Sequence, residues 1–147
     1  MTAWQLNRNM KILIGGYSGT GKTTLGKQLA EEHDIPLYQT DSLLHLPRPK
    51  QLTQIASWLD QDEYVIEGTQ AGAGLREWKR THPFKPPPID KYIVLTKAKR
   101  LQTQGQQRQK KGLDTIERQL RHWIKDVVEY EDSAPAFERE RELWEFD

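Results

Sequence analysis

The amino-acid sequence predicts a three-layer α/β domain, in which a parallel sheet of about four strands lies between layers of helices. Two observations lead to this fold class. Short apolar runs alternate along the chain with segments whose apolar residues recur every three or four positions. Such alternation is typical of β-α-β units, whose right-handed crossovers make the strands parallel. We expect one domain over residues 1–147, which suits the chain length of 147 residues.

Four segments have the pattern of buried strands. Each is a short apolar run, too short for a helix, and a parallel sheet covered on both faces needs such continuous apolar strands. The four segments are KILIG at 11–15, IPLYQT at 35–40, EYVIEG at 63–68 and KYIVLT at 91–96.

Helices are expected between and after these strands. The apolar spacing predicts helices over 22–33, 51–61 and 73–80, and the proline-rich stretch 82–90 must be a loop. After the fourth strand the spacing predicts a long amphipathic helix, and a short one over 137–146 follows Pro135. The long helix packs on the sheet or forms a dimer seam, so both a monomer and a homodimer remain open. Its apolar residues are Leu113, Ile116, Leu120, Trp123, Val127 and Tyr130.

Composition excludes several classes of function. The net charge is +1, which argues against a protein that binds nucleic acid through its overall charge. The charge is nevertheless split, because residues 97–125 are mostly basic and the residues after them mostly acidic. The absence of cysteine rules out disulfides, thiolate catalysis and Cys-based zinc sites. No segment has the roughly 20 apolar residues of a membrane helix, so we expect a cytoplasmic protein with no membrane partner.

The stretch GYSGTGKT between the first strand and the first helix is the strongest motif. It fits the pattern G-x-x-x-x-G-K-[ST], in which glycines let backbone N–H groups converge on a phosphate. The helix that follows turns its N-terminal N–H groups toward the anion. In this pattern the lysine reaches the outer phosphates and the threonine hydroxyl binds Mg²⁺. We therefore predict that ATP with Mg²⁺ binds at Gly16, Ser18, Gly19, Thr20, Gly21, Lys22, Thr23 and Thr24.

This motif in its strand–loop–helix context resembles the P-loop kinases, which include nucleoside monophosphate, shikimate and gluconate kinases. The resemblance runs from Lys11 to about Arg121 and implies a P-loop NTPase fold. In such kinases a carboxylate after the second strand contacts the acceptor hydroxyl, and Asp41 in YQTDSLLHL stands at that position. A second acid ends the third strand, where Glu67 in YVIEGT would hold Mg²⁺ together with Thr23. Without such roles, Asp41 would cap a helix and Glu67 would be a solvated strand end.

The resemblance also implies a mobile lid over about 97–112. In related kinases lid arginines close over the triphosphate and offset the charge that develops during transfer. Arg100 and Arg108 are the candidates, and a solvated basic face is the alternative for both. Together with Lys22, Asp41 and Glu67 they complete the predicted catalytic set. Arg76 is a further candidate, as a clamp for an acceptor phosphate or as an exposed helix residue.

The acceptor is less determined by the sequence than the donor. We expect the γ-phosphate to move to a hydroxyl of a small metabolite, a nucleoside or a nucleotide, or, in a specialised version, of a modified base. Small kinases of this kind in phages phosphorylate hydroxymethyluracil in DNA, which would make DNA a partner and the host cytoplasm the location. The basic stretch 97–125 would then follow the DNA backbone. No fifth strand is expected after the lid, which departs from typical kinases of this type. The alternative is a P-loop ATPase or nucleotide-binding regulator without an acceptor.

Overall fold

A computed structural model describes residues 10–16, 21–96 and 118–143. Its centre is one five-stranded sheet in the order β2-β3-β1-β4-β5. All neighbouring strands pair in parallel, as β-α-β crossovers require. The strands are β1 (Lys11–Gly16), β2 (Leu37–Gln39), β3 (Tyr64–Glu67), β4 (Lys91–Leu95) and β5 (Val127–Tyr130).

Helices cover both faces of this sheet. In chain order they are α1 (Lys22–His33), a 3₁₀ helix (Thr40–Leu43), α2 (Arg48–Trp58), α3 (Ala71–Thr81), α4 (118–123) and α5 (Ser133–Leu143). None of those described here is long and apolar enough to span a membrane.

Two apolar clusters separate the helices into two layers. Side chains of α1 and α5, such as Leu25 and Ala136, pack with Ile12 and Ile93 on one face of the sheet. Side chains of α2, α3 and α4 pack on the other face, around Leu13, Tyr64 and Tyr92. The sheet is thus buried on both sides, which explains why its central strands are continuous apolar runs. The three-layer parallel α/β fold predicted from the sequence is confirmed.

The sheet has five strands where the sequence predicted about four, because the expectation that no strand follows the lid was wrong. Residues Val127 and Tyr130 form β5 instead of extending a helix from Leu113. In the structure Tyr92 lies opposite Val127, and Leu95 opposite Tyr130. All five residues of β4 are buried, so its second edge needs a partner strand to satisfy the backbone groups there. The backbone N–H of Tyr92 donates to the carbonyl of Asp126, and that of Thr96 to Tyr130.

Some helix boundaries also differ from the prediction. The C-terminal helix begins at Ser133 and has Pro135 in its first turn, where a proline removes no helical hydrogen bond. Likewise α2 begins at Arg48 with Pro49 in its first turn, before the predicted start at Gln51. The C-terminal region was predicted to contain only helices, and in the structure it also contains the strand β5. The predicted lid over 97–112 lies outside the residues that the structure describes.

The strand order predicts a crevice at the carboxyl ends of the neighbouring strands β1 and β3. From β1 the chain turns into α1 on one face, whereas from β3 it turns into α3 on the opposite face. In open α/β sheets, ligands bind outside the carboxyl ends of two neighbouring strands whose following connections leave on opposite faces of the sheet. Gly16 and Glu67 end these two strands.

Candidate functional site

The described ends of the GYSGTGKT loop suit an anion. Strand β1 ends at Gly16 with φ 138°, and Gly21 precedes α1 with φ 97°, so both occupy backbone regions that favour glycine. As N-cap of α1, Gly21 makes no side-chain capping hydrogen bond, and no acidic residue lies in the first turn. The first turn of α1 thus carries neither a side-chain cap from Gly21 nor a carboxylate that would compete with an anion for the helix N-terminus. Ser18, Gly19 and Thr20 lie outside the described residues.

Lys22 begins α1 with its side chain turned back toward the loop. Its ammonium group is buried and donates to the carbonyl oxygen of Gly16 at 3.0 Å. Burial lowers the pKa of Lys22, and the negative charges of Glu67 and then Asp41 oppose that shift. A phosphate beside this ammonium group would further favour its charged form.

Glu67 is buried at the carboxyl end of β3, and two side chains hold its carboxylate. The hydroxyl of Thr23 donates to Glu67 Oε1 at 3.1 Å, and the amide of Gln39 donates to the same oxygen at 3.0 Å. Gln39 lies opposite Glu67 in the register of β2 and β3, so the two side chains share a face. Gly26 makes room for the side chain of Glu67, because a Cβ at this position would lie 3.1 Å from Glu67 Cγ.

Gln39 was missed by the sequence analysis. The signal was present, because Gln39 is a polar residue at the carboxyl end of a strand, next to the strand that ends in Glu67. The strand order that makes these two strands neighbours is visible only in the structure.

A close backbone approach follows Glu67. Gly68 has φ 133°, and a Cβ at this position would overlap the hydroxyl of Thr40 and lie 2.9 Å from its Cβ. Thr40 is 1 % exposed, and its Oγ1 has no hydrogen-bond partner in the described part of the chain. The ends of β2 and β3 are therefore in direct contact immediately beside Asp41.

Asp41 lies in the first turn of the 3₁₀ helix and is exposed to solvent. The N-cap of this helix is Gln39, whose carbonyl accepts a hydrogen bond from Ser42 Oγ at 2.7 Å. Asp41 therefore does not occupy the capping position that the alternative interpretation gave it. Its negative charge is one of the two that oppose the lowering of the Lys22 pKa by burial. His45, four residues further along the chain, is also exposed.

The start of α5 lies against Gly21, the last residue before α1 in the GYSGTGKT loop. A Cβ at Gly21 would lie 3.0 Å from Ser133 Oγ and 3.1 Å from Ser133 Cβ. The backbone N–H of Ser133 donates to Asp132 Oδ1 at 2.7 Å, which shapes the start of α5. The sequence analysis could not find this neighbour because it did not predict β5.

The two side chains predicted to bind Mg²⁺, Thr23 and Glu67, contact each other in the structure. Thr23 and Glu67 supply a hydroxyl and a carboxylate, oxygen ligands of the kind that Mg²⁺ prefers. Within 10–16, 21–96 and 118–143, no group of three or more His, Cys, Asp or Glu residues could form a metal cage. A magnesium ion bound through one carboxylate and the phosphates of its substrate needs no such cage. The predicted lid residues Arg100 and Arg108 lie outside the described residues.

Comparisons with known proteins agree on the fold. No protein-family model matches the chain, and no curated protein matches it significantly in sequence. Among solved structures, shikimate kinase from Acinetobacter baumannii in complex with shikimate superposes with a TM-score of 0.56 at 16% identity, covering 94% of each chain. A gluconokinase from Sinorhizobium meliloti 1021 gives a TM-score of 0.51 at 16% identity, covering 93% of each chain.

A third similar structure is the YorR protein from Bacillus subtilis in complex with phosphorylated GDP. Its TM-score is 0.51 at 16% identity, over 93% of this chain and 100% of that one. Identities this low show the fold and leave substrate and acceptor open. The five-stranded parallel sheet with its glycine-rich loop after β1 is therefore the fold of the P-loop kinases.

Proposed function

We propose that this protein is an ATP- and Mg²⁺-dependent phosphotransferase that moves the γ-phosphate to a hydroxyl group. The observation that carries the proposal is the hydrogen bond from Thr23 to the buried Glu67, next to the ammonium group of Lys22. This arrangement combines a cation for the phosphates with oxygen ligands for a metal at the carboxyl edge of a parallel sheet.

Each described residue of the site has a definite task in such a transfer. Lys22 would leave the Gly16 carbonyl and bind the outer phosphates, where it offsets the negative charge of the transition state. Thr23 and Glu67 would hold Mg²⁺, with Gln39 fixing the orientation of the carboxylate. The metal, when bound, neutralises charge on the β- and γ-phosphates.

Asp41 is the proposed base for the acceptor hydroxyl. It is exposed and directly follows Thr40, which lies against Gly68 just after Glu67, so an acceptor bound at these strand ends would have its hydroxyl near this carboxylate. In the transfer, a bond forms between the acceptor oxygen and the γ-phosphorus. The bond from that phosphorus to the β–γ bridging oxygen breaks, ADP leaves, and Asp41 takes the hydroxyl proton. Arg100 and Arg108 remain candidates for closing over the triphosphate.

The acceptor we propose is a nucleoside, a nucleotide or a modified base, including hydroxymethyluracil in DNA. The similar structures include a shikimate kinase, a gluconokinase and a protein bound to phosphorylated GDP. The shikimate kinase and the gluconokinase support a small-molecule acceptor in general, and an acceptor related to nucleotides stays a prediction made from the sequence.

Transfer of labelled γ-phosphate from ATP tests the proposal. The panel is nucleosides, nucleoside monophosphates, shikimate, gluconate, plain DNA and DNA containing hydroxymethyluracil. We expect label on one acceptor class, and a loss of about 10²–10³-fold in Lys22→Met, because its cation stabilises the transition state. Lys27→Met is the matched control, since Lys27 is an exposed lysine of the same helix.

Asp41→Asn separates a kinase from an ATPase. We expect transfer to fall by about 10²–10⁴-fold while ATP binding persists, as for loss of a general base. Asp62→Asn changes another exposed aspartate and should leave transfer intact. Phosphate release with no labelled acceptor, equal in the Asp41 variant and the parent, would move the protein to the ATPase or regulator class.

A further inference from the structure

A basic groove lies on the outer surface of the α2, α3 and α4 layer. Its floor is α3, and its walls are formed by α2 and α4. Its volume is about 660 Å³. One end lies near the start of α3, where Arg48 Nη1 donates to Gln70 Oε1 at 2.7 Å, two residues after Gly68, and Gly68 lies against Thr40, the residue before Asp41. The opposite end reaches Pro83 beyond the C-terminus of α3.

Positive charge dominates the groove. Arg48, Arg76, Lys79 and Arg80 line it, and among the lining residues that the structure describes Glu77 is the only carboxylate. Glu77 is paired with Arg80 at 2.5 Å. The ammonium group of Lys79 donates to the carbonyls of Pro83 at 3.1 Å and Lys85 at 2.7 Å, which orient its charge without neutralising it. The groove therefore suits an anionic ligand.

The charges are spread along the groove instead of converging on one point. Arg76 and Arg80 are one helical turn apart, a rise of about 6 Å, and the 11 residues of α3 span about 16 Å. Arg48 adds a charge at the end nearest Gly68. A compact anion would contact only part of this line, whereas a chain of phosphates could contact all of it.

The groove also offers an aromatic surface. Trp123 of α4 lines it and is partly exposed, and Leu52 of α2 adds apolar surface to the opposite wall. Aromatic side chains beside a row of cations are the combination that binds single-stranded nucleic acid, because bases stack on the rings while phosphates meet the cations. An acidic peptide would match the charges, but it has no bases to stack on the ring of Trp123.

We propose that this groove binds single-stranded nucleic acid. The strand would run along α3, with its phosphates near Arg76 and Arg80 and a base against Trp123, and would lead one nucleotide toward Asp41. As a means of presenting the acceptor, the groove rests on the proposed function. Binding of the strand itself does not, and it is measurable without ATP.

The test is fluorescence anisotropy of a labelled 12-residue oligothymidylate titrated with the full chain at several salt concentrations. We expect binding whose logarithm falls linearly with the logarithm of the salt concentration. Arg76→Glu should weaken binding at least tenfold, whereas Arg139→Glu on the opposite face should not. Arg76→Gln should reduce the salt slope by about one, because one phosphate contact is lost. Trp123→Leu should weaken binding by about fivefold or more, as a lost base stack does.

Competitors show whether the ligand chemistry is correct. Unlabelled oligothymidylate should displace the label at much lower concentrations than polyglutamate, inorganic polyphosphate or thymidine monophosphate. Equal competition by polyphosphate or polyglutamate, with Trp123→Leu unchanged, would overturn the proposal by reducing the groove to a general polyanion site. Equal competition by the mononucleotide would overturn it in favour of a compact ligand. Equal losses in Arg76→Glu and Arg139→Glu would show that the groove is not involved.

Two readouts separate this proposal from the proposed function. Thermal unfolding and ATP binding of each variant show that the fold and the nucleotide site persist. Oligonucleotide binding that depends on Arg76 and Trp123, with no phosphate transfer to any acceptor, would leave the groove standing and refute the kinase. Transfer to a free nucleoside with no oligonucleotide binding would refute the groove alone.

Discussion

The buried ion pair between Lys91 and Glu140 should be a main determinant of how α5 is held to the sheet. Glu140 has no exposed surface; its carboxylate accepts from Lys91 Nζ at 2.8 Å and from the hydroxyl of Tyr130. We expect Glu140→Ala to cost about 3–5 kcal/mol, because it removes the carboxylate to which the buried ammonium group of Lys91 donates. Domains of this size have a total stability of about 5–15 kcal/mol, so the loss would be severe.

Urea unfolding measures this loss. At a slope of about 2 kcal/mol/M, the expected cost lowers the transition midpoint by about 1.5–2.5 M. Glu138→Ala, at an exposed position of the same helix, is the control and should change the midpoint little. Nucleotide affinity should fall in Glu140→Ala as well, because the first residue of α5, Ser133, lies against Gly21 of the phosphate loop.

A double variant tests the physical cause. Lys91→Met with Glu140→Leu removes both charges and should be markedly more stable than Glu140→Ala, because it leaves no buried ammonium group that has lost its carboxylate. A double variant no more stable than the single one would show that lost packing, and not the loss of the buried ion pair, causes the effect. A loss below about 1 kcal/mol in Glu140→Ala would refute the importance of the pair altogether.

Three further results are expected. Gly74→Ala should destabilise the protein by about 1–3 kcal/mol in urea unfolding, because the new methyl group would lie 2.5 Å from Ile55 Cβ between α2 and α3. A stabilised variant, as is usual for Gly→Ala within a helix, would contradict this expectation. Gly68→Ala should cost at least about 1–3 kcal/mol through its positive φ and its overlap with Thr40, and an unchanged thermal midpoint would contradict this. Burial lowers the pKa of Lys22, so the folded chain releases the ammonium proton at a lower pH than the unfolded chain. The contribution of Lys22 to the free energy of unfolding therefore rises with pH between the pKa of the folded chain and that of the unfolded chain. Bound phosphate should restore the proton, so nucleotide binding at alkaline pH should take up protons, and calorimetric heats equal in buffers of different ionisation enthalpy would count against it.

Local patterns predicted much of the fold correctly. The glycine-rich loop is flanked by an apolar run and an amphipathic segment, and these become β1 and α1 close to the predicted bounds. The central strands were found because a strand buried on both faces is a continuous apolar run in the sequence. Motif and strand end also pointed to Lys22, Thr23 and Glu67 as neighbours, although their roles remain predictions.

The edge strand β5 could not be predicted in the same way. Its residues are mostly half-buried and include the exposed Glu129, and Leu120, Trp123 and Val127 continue a helical spacing into it. Over four residues, apolar spacing does not distinguish a helix from a strand. The decision comes from β4, whose backbone groups at Tyr92 and Leu95 need hydrogen-bond partners on that side.

The sequence by itself determined the parallel α/β class, and it predicted the glycine-rich loop and the two acids Asp41 and Glu67 as parts of a site, because these depend on residue types at short spacing. Only the tertiary structure placed Gln39 on Glu67, set Ser133 against the phosphate loop and aligned Arg76 with Trp123 in one groove. Each of these contacts joins residues that are far apart in the chain, so it depends on strand order and helix packing. Spacing along the chain carries information about neighbours on one element, whereas contacts between elements follow from how the whole core is packed.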